Sequence, residues 1–128
     1  MEKLGGNANA LNWFEIPATD IGRAQKFYES IFDVSMQILD MGETQMAMFP
    51  AEDSKVSGAV VKGEYNIPTS GGTLVYLNAN PNLQDVLDKV EAAGGKIMAP
   101  KTIISEDWGY FGVFIDTEGN SVGVHSSK

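Results

Sequence analysis

Hydrophobic periods alternate along this chain in an order that few folds can accommodate. Ile21, Ala24, Phe27, Tyr28, Ile31 and Phe32 recur at intervals of three and four, which puts them on one stripe of a helix spanning 21–32. Asp20, or Thr19 before it, is suited to cap that helix, because a short side-chain oxygen satisfies the unpaired N–H groups of the first turn. Upstream, Asn12 to Ala18 alternates. Phe14, Ile16 and Ala18 fall on one face of a strand, Trp13 and Glu15 on the other. After Asp33 come three strand-like runs, Val34 to Leu39, Thr44 to Phe49 and Gly58 to Lys62. They are parted by Met41-Gly42-Glu43 and by the polar stretch Pro50 to Ser57.

Beyond a loop holding Pro68 and Ser70-Gly71-Gly72, the order starts again. Thr73 to Asn78 reads as a strand, and Pro81 suits the first turn of a second helix with Asn80 as its cap. Leu83, Val86, Leu87, Val90 and Ala93 form its stripe, and Gly94-Gly95 ends it, since glycine takes positive φ without strain. Lys96 to Ile104, Gly109 to Ile115 and Ser121 to Ser126 are three more strands, the last two joined by the hairpin signal Asp116-Thr117-Glu118-Gly119-Asn120. The chain thus reads β-α-β-β-β twice, with equivalent points about 60 residues apart, although the residues themselves scarcely repeat. This predicts an α+β fold of two βαβββ modules, about 11–65 and 72–128, within one domain from 11 to 128. Each sheet needs one face covered by its helix, so the expectation is helices outside and two curved sheets facing each other across a cavity. Residues 1–10, polar and containing glycine, read as a flexible leader.

A chain of 128 residues, 43% of them hydrophobic, can bury one core and needs no second domain. Its charge of −8, from 17 acidic against 9 basic residues without a basic run, sets nucleic acid and membrane surfaces aside as partners. No apolar stretch reaches transmembrane length, and Met1 to Ala10 lacks the apolar centre of a signal peptide. The absence of cysteine removes disulfide and thiol chemistry and suits the cytoplasm, which is the expected location. Ser70-Gly71-Gly72 and Gly109-Tyr110-Phe111-Gly112 match neither a phosphate-binding loop nor a dinucleotide fingerprint.

Trp13-Phe14-Glu15-Ile16-Pro17-Ala18-Thr19-Asp20, followed by Ala24 and Phe27-Tyr28-Glu29, resembles the opening strand and first helix of the vicinal oxygen chelate superfamily. That group contains glyoxalases, bleomycin-resistance proteins and extradiol dioxygenases. Val90-Glu91-Ala92-Ala93-Gly94-Gly95-Lys96 resembles the end of their second helix, and Asp116-Thr117-Glu118-Gly119-Asn120 their last turn. The resemblance covers nearly the whole chain from residue 11 and implies a glyoxalase/bleomycin-resistance-type open barrel, a place in the glyoxalase-like branch related to lactoylglutathione lyase, and a homodimer. One such fold hosts many reactions. Enzymes of the superfamily hold a divalent metal with His, Gln or Glu from the first and last strands of each module. Here, counting back from Asp20 puts Trp13 at the first of these positions, and counting forward from Gly119 puts Gly123 at the last. Neither Thr73 to Asn78 nor Gly58-Ala59-Val60-Val61 supplies His, Gln or Glu. The expectation is no cofactor, with a divalent ion held weakly by Glu15 and His125 as the minor alternative.

Strand parity turns Glu15, two residues after Trp13, and His125, two after Gly123, toward the cavity. As an acid and base they are the candidate catalytic residues, histidine being the side chain whose ordinary pKa lies near neutrality. A purely structural role weighs more, since one acid and one base are few groups for carbonyl chemistry. Trp13, Met46, Tyr76, Trp108, Tyr110 and Phe114 are the candidate ligand-binding residues, with Met48 sharing the parity of Met46. Amphipathic aromatics and pliable methionine suit a planar or irregular organic ligand. For Met48 and Phe114 plain core packing weighs equally, whereas Trp108, in the loop Ser105-Glu106-Asp107-Trp108-Gly109, reads as a lid or interface contact. Three functions follow in order. The first is a glyoxalase-like protein binding a small organic ligand, with lyase-like or isomerase-like turnover of a small carbonyl compound if it is an enzyme. The second is a bleomycin-resistance-like protein that sequesters a cationic planar drug unaltered. The third is a metal-dependent lyase or dioxygenase.

Overall fold

A computed structural model of the chain describes residues 3–128, so the expected leader lies partly, at Met1 and Glu2, outside the described residues. The elements run β1 Trp13–Pro17, α1 Ile21–Phe32, β2 Gln37–Asp40, β3 Gln45–Met48, β4 Ser57–Lys62, then β5 Tyr76–Asn78, α2 Gln84–Val90, β6 Lys96–Ser105, β7 Gly109–Ile115 and β8 Ser121–Ser126. Each module makes one mixed four-stranded sheet, in the orders β1-β4-β3-β2 and β5-β8-β7-β6. The parallel pairs are β1 with β4 and β5 with β8. The α+β class and the repeated β-α-β-β-β order therefore hold.

α1 begins and ends where its periodicity predicts. Asp20 accepts a hydrogen bond from the Arg23 amide at 3.0 Å, and Asp33, at φ 53°, turns the chain out of the helix. α2 starts later than Asn80 and Pro81 suggest, at Gln84. Its opening N–H groups are taken by other partners. Ser126 Oγ, buried at the end of β8, accepts from Leu83 N at 2.9 Å, and Asn82 Oδ1 accepts from Gln84 N at 3.0 Å. Among the described residues no helix is long and apolar enough to cross a membrane.

The register of the strands separates two faces on each sheet. Phe14, Ile16, Ala47 and Val60 of module 1 and Leu77, Phe114, Val122 and Val124 of module 2 join α1 and α2 in one hydrophobic cluster. α1 lies over β3 and β4, α2 over β6 and β7, and the helices touch each other. The helices meet each other, and a single hydrophobic cluster takes in both helices and the covered faces of both sheets, so the helices lie between the sheets. Phe27 and Tyr28 of α1 accordingly pack on Phe114 of β7, with ring centroids 5.6 and 6.2 Å apart. Gly95 permits this approach, because a Cβ there would stand 2.8 Å from the Phe27 ring and 2.7 Å from the Ile115 carbonyl oxygen. The expected placement of the helices outside is corrected: within one chain they form the middle layer, and the uncovered sheet faces point away from each other.

The turn Asp116–Asn120 of module 2 fastens module 1. Asp116 Oδ2 accepts from the buried Tyr28 hydroxyl at 2.7 Å and from Asn120 Nδ2 at 3.0 Å. Burial, and then the charge of Asp116, push the Tyr28 phenol well above its ordinary value. Asn120 Nδ2 also donates to the Pro17 carbonyl at 2.7 Å. Glu118 reaches the N-terminus of α1, where Oε1 accepts from the amides of Thr19 and Asp20, each at 2.9 Å, and Oε2 from Arg23 Nε at 2.7 Å. Burial alone would raise the Glu118 carboxyl. Arg23, the two amides and the Thr117 hydroxyl outweigh it and bring the carboxyl down from 4.5 to about 2.

A carboxyl depressed on folding stabilises the protein above its unfolded pKa and loses that contribution as pH falls toward the folded value. Arg23 is half exposed, so water screens part of the interaction and about 1–2 kcal/mol is expected rather than the full shift. Glu118→Gln is therefore expected to lower stability by that amount at pH 7 and to flatten its decline between pH 4.5 and 2. Urea unfolding of both proteins at neutral and acid pH checks this. Equal pH slopes would contradict it.

Candidate functional site

On the module 1 sheet the uncovered face carries Trp13, Glu15, Met46, Met48 and Leu39, because each pairs across the ladder with another residue of that face. Glu15 stands opposite Ala59, which is opposite Met48, and Met46 lies between Val61 and Leu39. Glu15 Oε2 accepts from the Trp13 indole at 3.3 Å and Oε1 from Asn66 Nδ2, in the inter-module loop, at 3.4 Å. Trp13 is 43% exposed, while the methionines are half-buried. The result is an apolar surface holding one carboxylate.

Tyr76, Asn78, Phe111, Val113, Gly123 and His125 form the uncovered face of module 2. Tyr76 lies against Gly123, where any Cβ would overlap its ring, and meets Phe111 edge-on at 6.5 Å. His125 Nε2 is 2.6 Å from the Trp108 carbonyl oxygen. A carbonyl can only accept, so Nε2 carries the proton and is occupied, leaving Nδ1. This bond ties the β6–β7 turn down onto the face, while the Trp108 side chain stays 71% exposed.

Glu15 and His125 both reach an uncovered face, as parity predicts, but on different sheets that look in opposite directions. One chain does not bring them together. Trp13, Met46 and Tyr76 lie on uncovered faces, and Trp108 is at a loop tip beside one. Tyr110 and Phe114 belong to the covered face of β7, and their place in a ligand surface is corrected. Phe114 is fully buried against α1, and Tyr110 lies under Lys101, whose Nζ is 4.5 Å from the ring centroid. Phe111 takes their place and was legible: pairing back from the turn, Ile115 with Ser121 puts Phe111 opposite His125. Asn66, which holds Glu15, left no signal, since it comes from a loop. Among the described residues no three His, Cys, Asp or Glu side chains assemble in a group able to hold a metal.

Solved structures share this fold. A glyoxalase/bleomycin resistance protein/dioxygenase family enzyme from Burkholderia phytofirmans PsJN superposes with a TM-score of 0.64 at 13% identity, covering 91% of this chain and 98% of that one. A glyoxalase/bleomycin resistance protein from Albidiferax ferrireducens T118 gives 0.63 at 14%, covering 91% and 97%. A glyoxalase I mutant from Zea mays gives 0.62 at 18%, covering 90% of this chain and 45% of that longer one. The chain thus shares the fold of these glyoxalase and bleomycin-resistance proteins. No family model matches the sequence. A glyoxylase-like domain-containing protein from Didymella fabae is 32% identical over 116 residues, 87% of this chain and 88% of that protein, and the chain belongs to this glyoxalase-like domain family.

The contact of the Tyr76 ring with Gly123 generates a double-mutant test. Gly123→Ala is expected to cost about 1–3 kcal/mol through overlap with the ring. In a Tyr76→Ala background most of that cost should vanish. Urea denaturation of the four proteins measures the coupling, and a value under about 0.5 kcal/mol would show the two residues to be independent.

Proposed function

We propose that the chain is a ligand-binding glyoxalase-like protein that acts as a homodimer. The uncovered face of module 1 in one copy closes over the uncovered face of module 2 in the other, around a small organic molecule. The observation that carries this reading is the pair Trp13 and Tyr76. These large aromatics on the two uncovered faces remain 43% and 48% exposed in a single chain. Faces that diverge within one chain close only against a second copy, and a two-fold arrangement uses both faces of each. Aromatic and methionine surfaces offer polarizable contact to a planar ligand, and Glu15 adds selectivity for a cation or a hydrogen-bond donor.

The divalent metal implied by the superfamily does not fit these residues. In the ladder Trp13 stands opposite Ser57 and Tyr76 opposite Gly123, so the central positions offer an indole, a hydroxyl, a phenol and a hydrogen atom. Such metals prefer imidazole and carboxylate. Binding without turnover is also supported by the acid–base pair, since Glu15 is held by Trp13 and Asn66 and His125 has one nitrogen occupied. A second reading, sequestration of a cationic planar drug, is favoured by the net charge of −8 together with the exposed aromatics. Lyase-like or isomerase-like turnover of a carbonyl compound would instead rest on Glu15 as base. A cysteine-free chain suits the reducing cytoplasm, where we place it.

Light scattering is expected to give twice the mass of one chain. Trp13→Ala and Tyr76→Ala should each weaken binding of proflavine, a planar cationic dye, by about tenfold or more, measured by fluorescence titration. A monomer, or dye affinity indifferent to both substitutions, would overturn the reading.

A further inference from the structure

The two modules meet along a seam whose ends are built differently. At one end the turn Asp116–Asn120 fastens module 2 onto β1 and α1. At the other the corresponding connection of module 1, residues 50–56, makes no hydrogen bond to module 2 among the described residues, and a cavity of about 350 Å³ lies between the modules. We propose that this cavity is a second binding site, for an apolar carboxylate of bicyclic size or equivalent chain length.

Its walls are Phe14, Phe32, Val34, Phe49 and Leu77. Phe14 and Leu77 belong to the covered faces of their sheets, whereas Ser57, Tyr76 and Asn78, which also line it, belong to the uncovered ones, so the chamber runs in behind the β1 and β5 edges and adjoins the ligand surface proposed above at Tyr76. It is open to solvent, with room for about a dozen waters, yet its lining offers them few partners. The Ser57 hydroxyl is donated to the Phe49 carbonyl at 3.1 Å, and Asn78 Oδ1 already accepts from the backbone and side-chain N–H of Asn80, each at 2.9 Å. An apolar occupant gains contact with three half-buried phenylalanines and displaces poorly held water.

The mouth supplies donors. The Asn78 amide lines the cavity, and its Nδ2 makes no hydrogen bond among the described residues. Lys55 does not line the chamber but precedes Val56 and Ser57, which do, and it shares neighbouring surface depressions with Phe49, Pro50 and Ser57 and with Leu11 and Val56. Among the described residues it forms no ion pair, even with Glu52 and Asp53 of its own loop. An unpaired cation and an amide donor above an apolar chamber complement a carboxylate on an apolar body.

Methyl-resolved NMR titration with 2-naphthoate tests this on the intact chain. Signals of Val34, Val56 and Leu77 should shift and saturate below about 1 mM, with the Met46 and Met48 methyls unmoved. The neutral 2-naphthamide should bind about fivefold more weakly or worse, and Lys55→Gln should remove that difference. Val34→Phe, which fills the chamber, should weaken naphthoate binding by about tenfold or more. Should that variant not fold, the wild-type and Lys55→Gln titrations decide alone. No saturable shift by about 1 mM, shifts confined to Met46 and Met48, or equal affinity for acid and amide would each overturn the proposal.

Discussion

The union of the modules rests on one carboxylate, that of Asp116. Its Oδ1 accepts from the amides of Glu118 and Asn120, both at 2.9 Å, and so shapes the turn. Its Oδ2 receives Tyr28 and Asn120 and so docks the turn onto α1. Local turn chemistry and long-range packing therefore share a single side chain, and Glu118 is aimed at the helix N-terminus only while that turn is closed. A buried network of this kind is favourable when complete and costly when any member is missing. Among the described residues every buried side-chain polar atom has a partner.

The same docking decides which surfaces remain for function. With α1 and α2 forced into the middle layer, the apolar residues of both covered faces are consumed in one core. Trp13, Leu39 and Tyr76, on the other faces, are left outside it. Gly95 shows how closely this packing is drawn, since the helices and β7 converge where a side chain would not fit. Among the described residues the latch acts at one end of the seam, and the opposite end holds a chamber lined from both modules.

Period and parity made the elements legible. α1, β7 and β8 have the bounds that their stripes and alternation predict, and strand parity placed Glu15 and His125 on uncovered faces. What local pattern could not reveal was the relation between modules. A stripe on a helix states that one side is buried, not whether a second sheet lies against it, so the helices were expected outside. The turn Asp116–Asn120 was readable as a hairpin, but its partners Pro17, Thr19 and Tyr28 lie about a hundred residues away in sequence, beyond any local rule. Tyr110 and Phe114 were misassigned because aromatic chemistry was weighed ahead of ladder parity, which alone would have selected Phe111. The true start of α2 was hidden for a related reason, since the acceptor for Leu83 N is Ser126, on another strand.

The division of labour between faces explains how such a chain can keep its architecture while the residues on its uncovered faces vary. Core, latch and helix packing draw on covered faces and on the turn. Trp13, Ser57, Tyr76 and Gly123 stand on uncovered faces and contribute little to that core. Large aromatics at such positions cost the fold little provided that each ring faces a small partner, as Tyr76 does Gly123 and Trp13 does Ser57. The constraint is pairwise. A side chain introduced at Gly123 would meet the Tyr76 ring, so it could be accommodated only if the aromatic left. In this chain the ring and the glycine constrain each other, and their contact, more than the shared fold, fixes what the surface presents at that point.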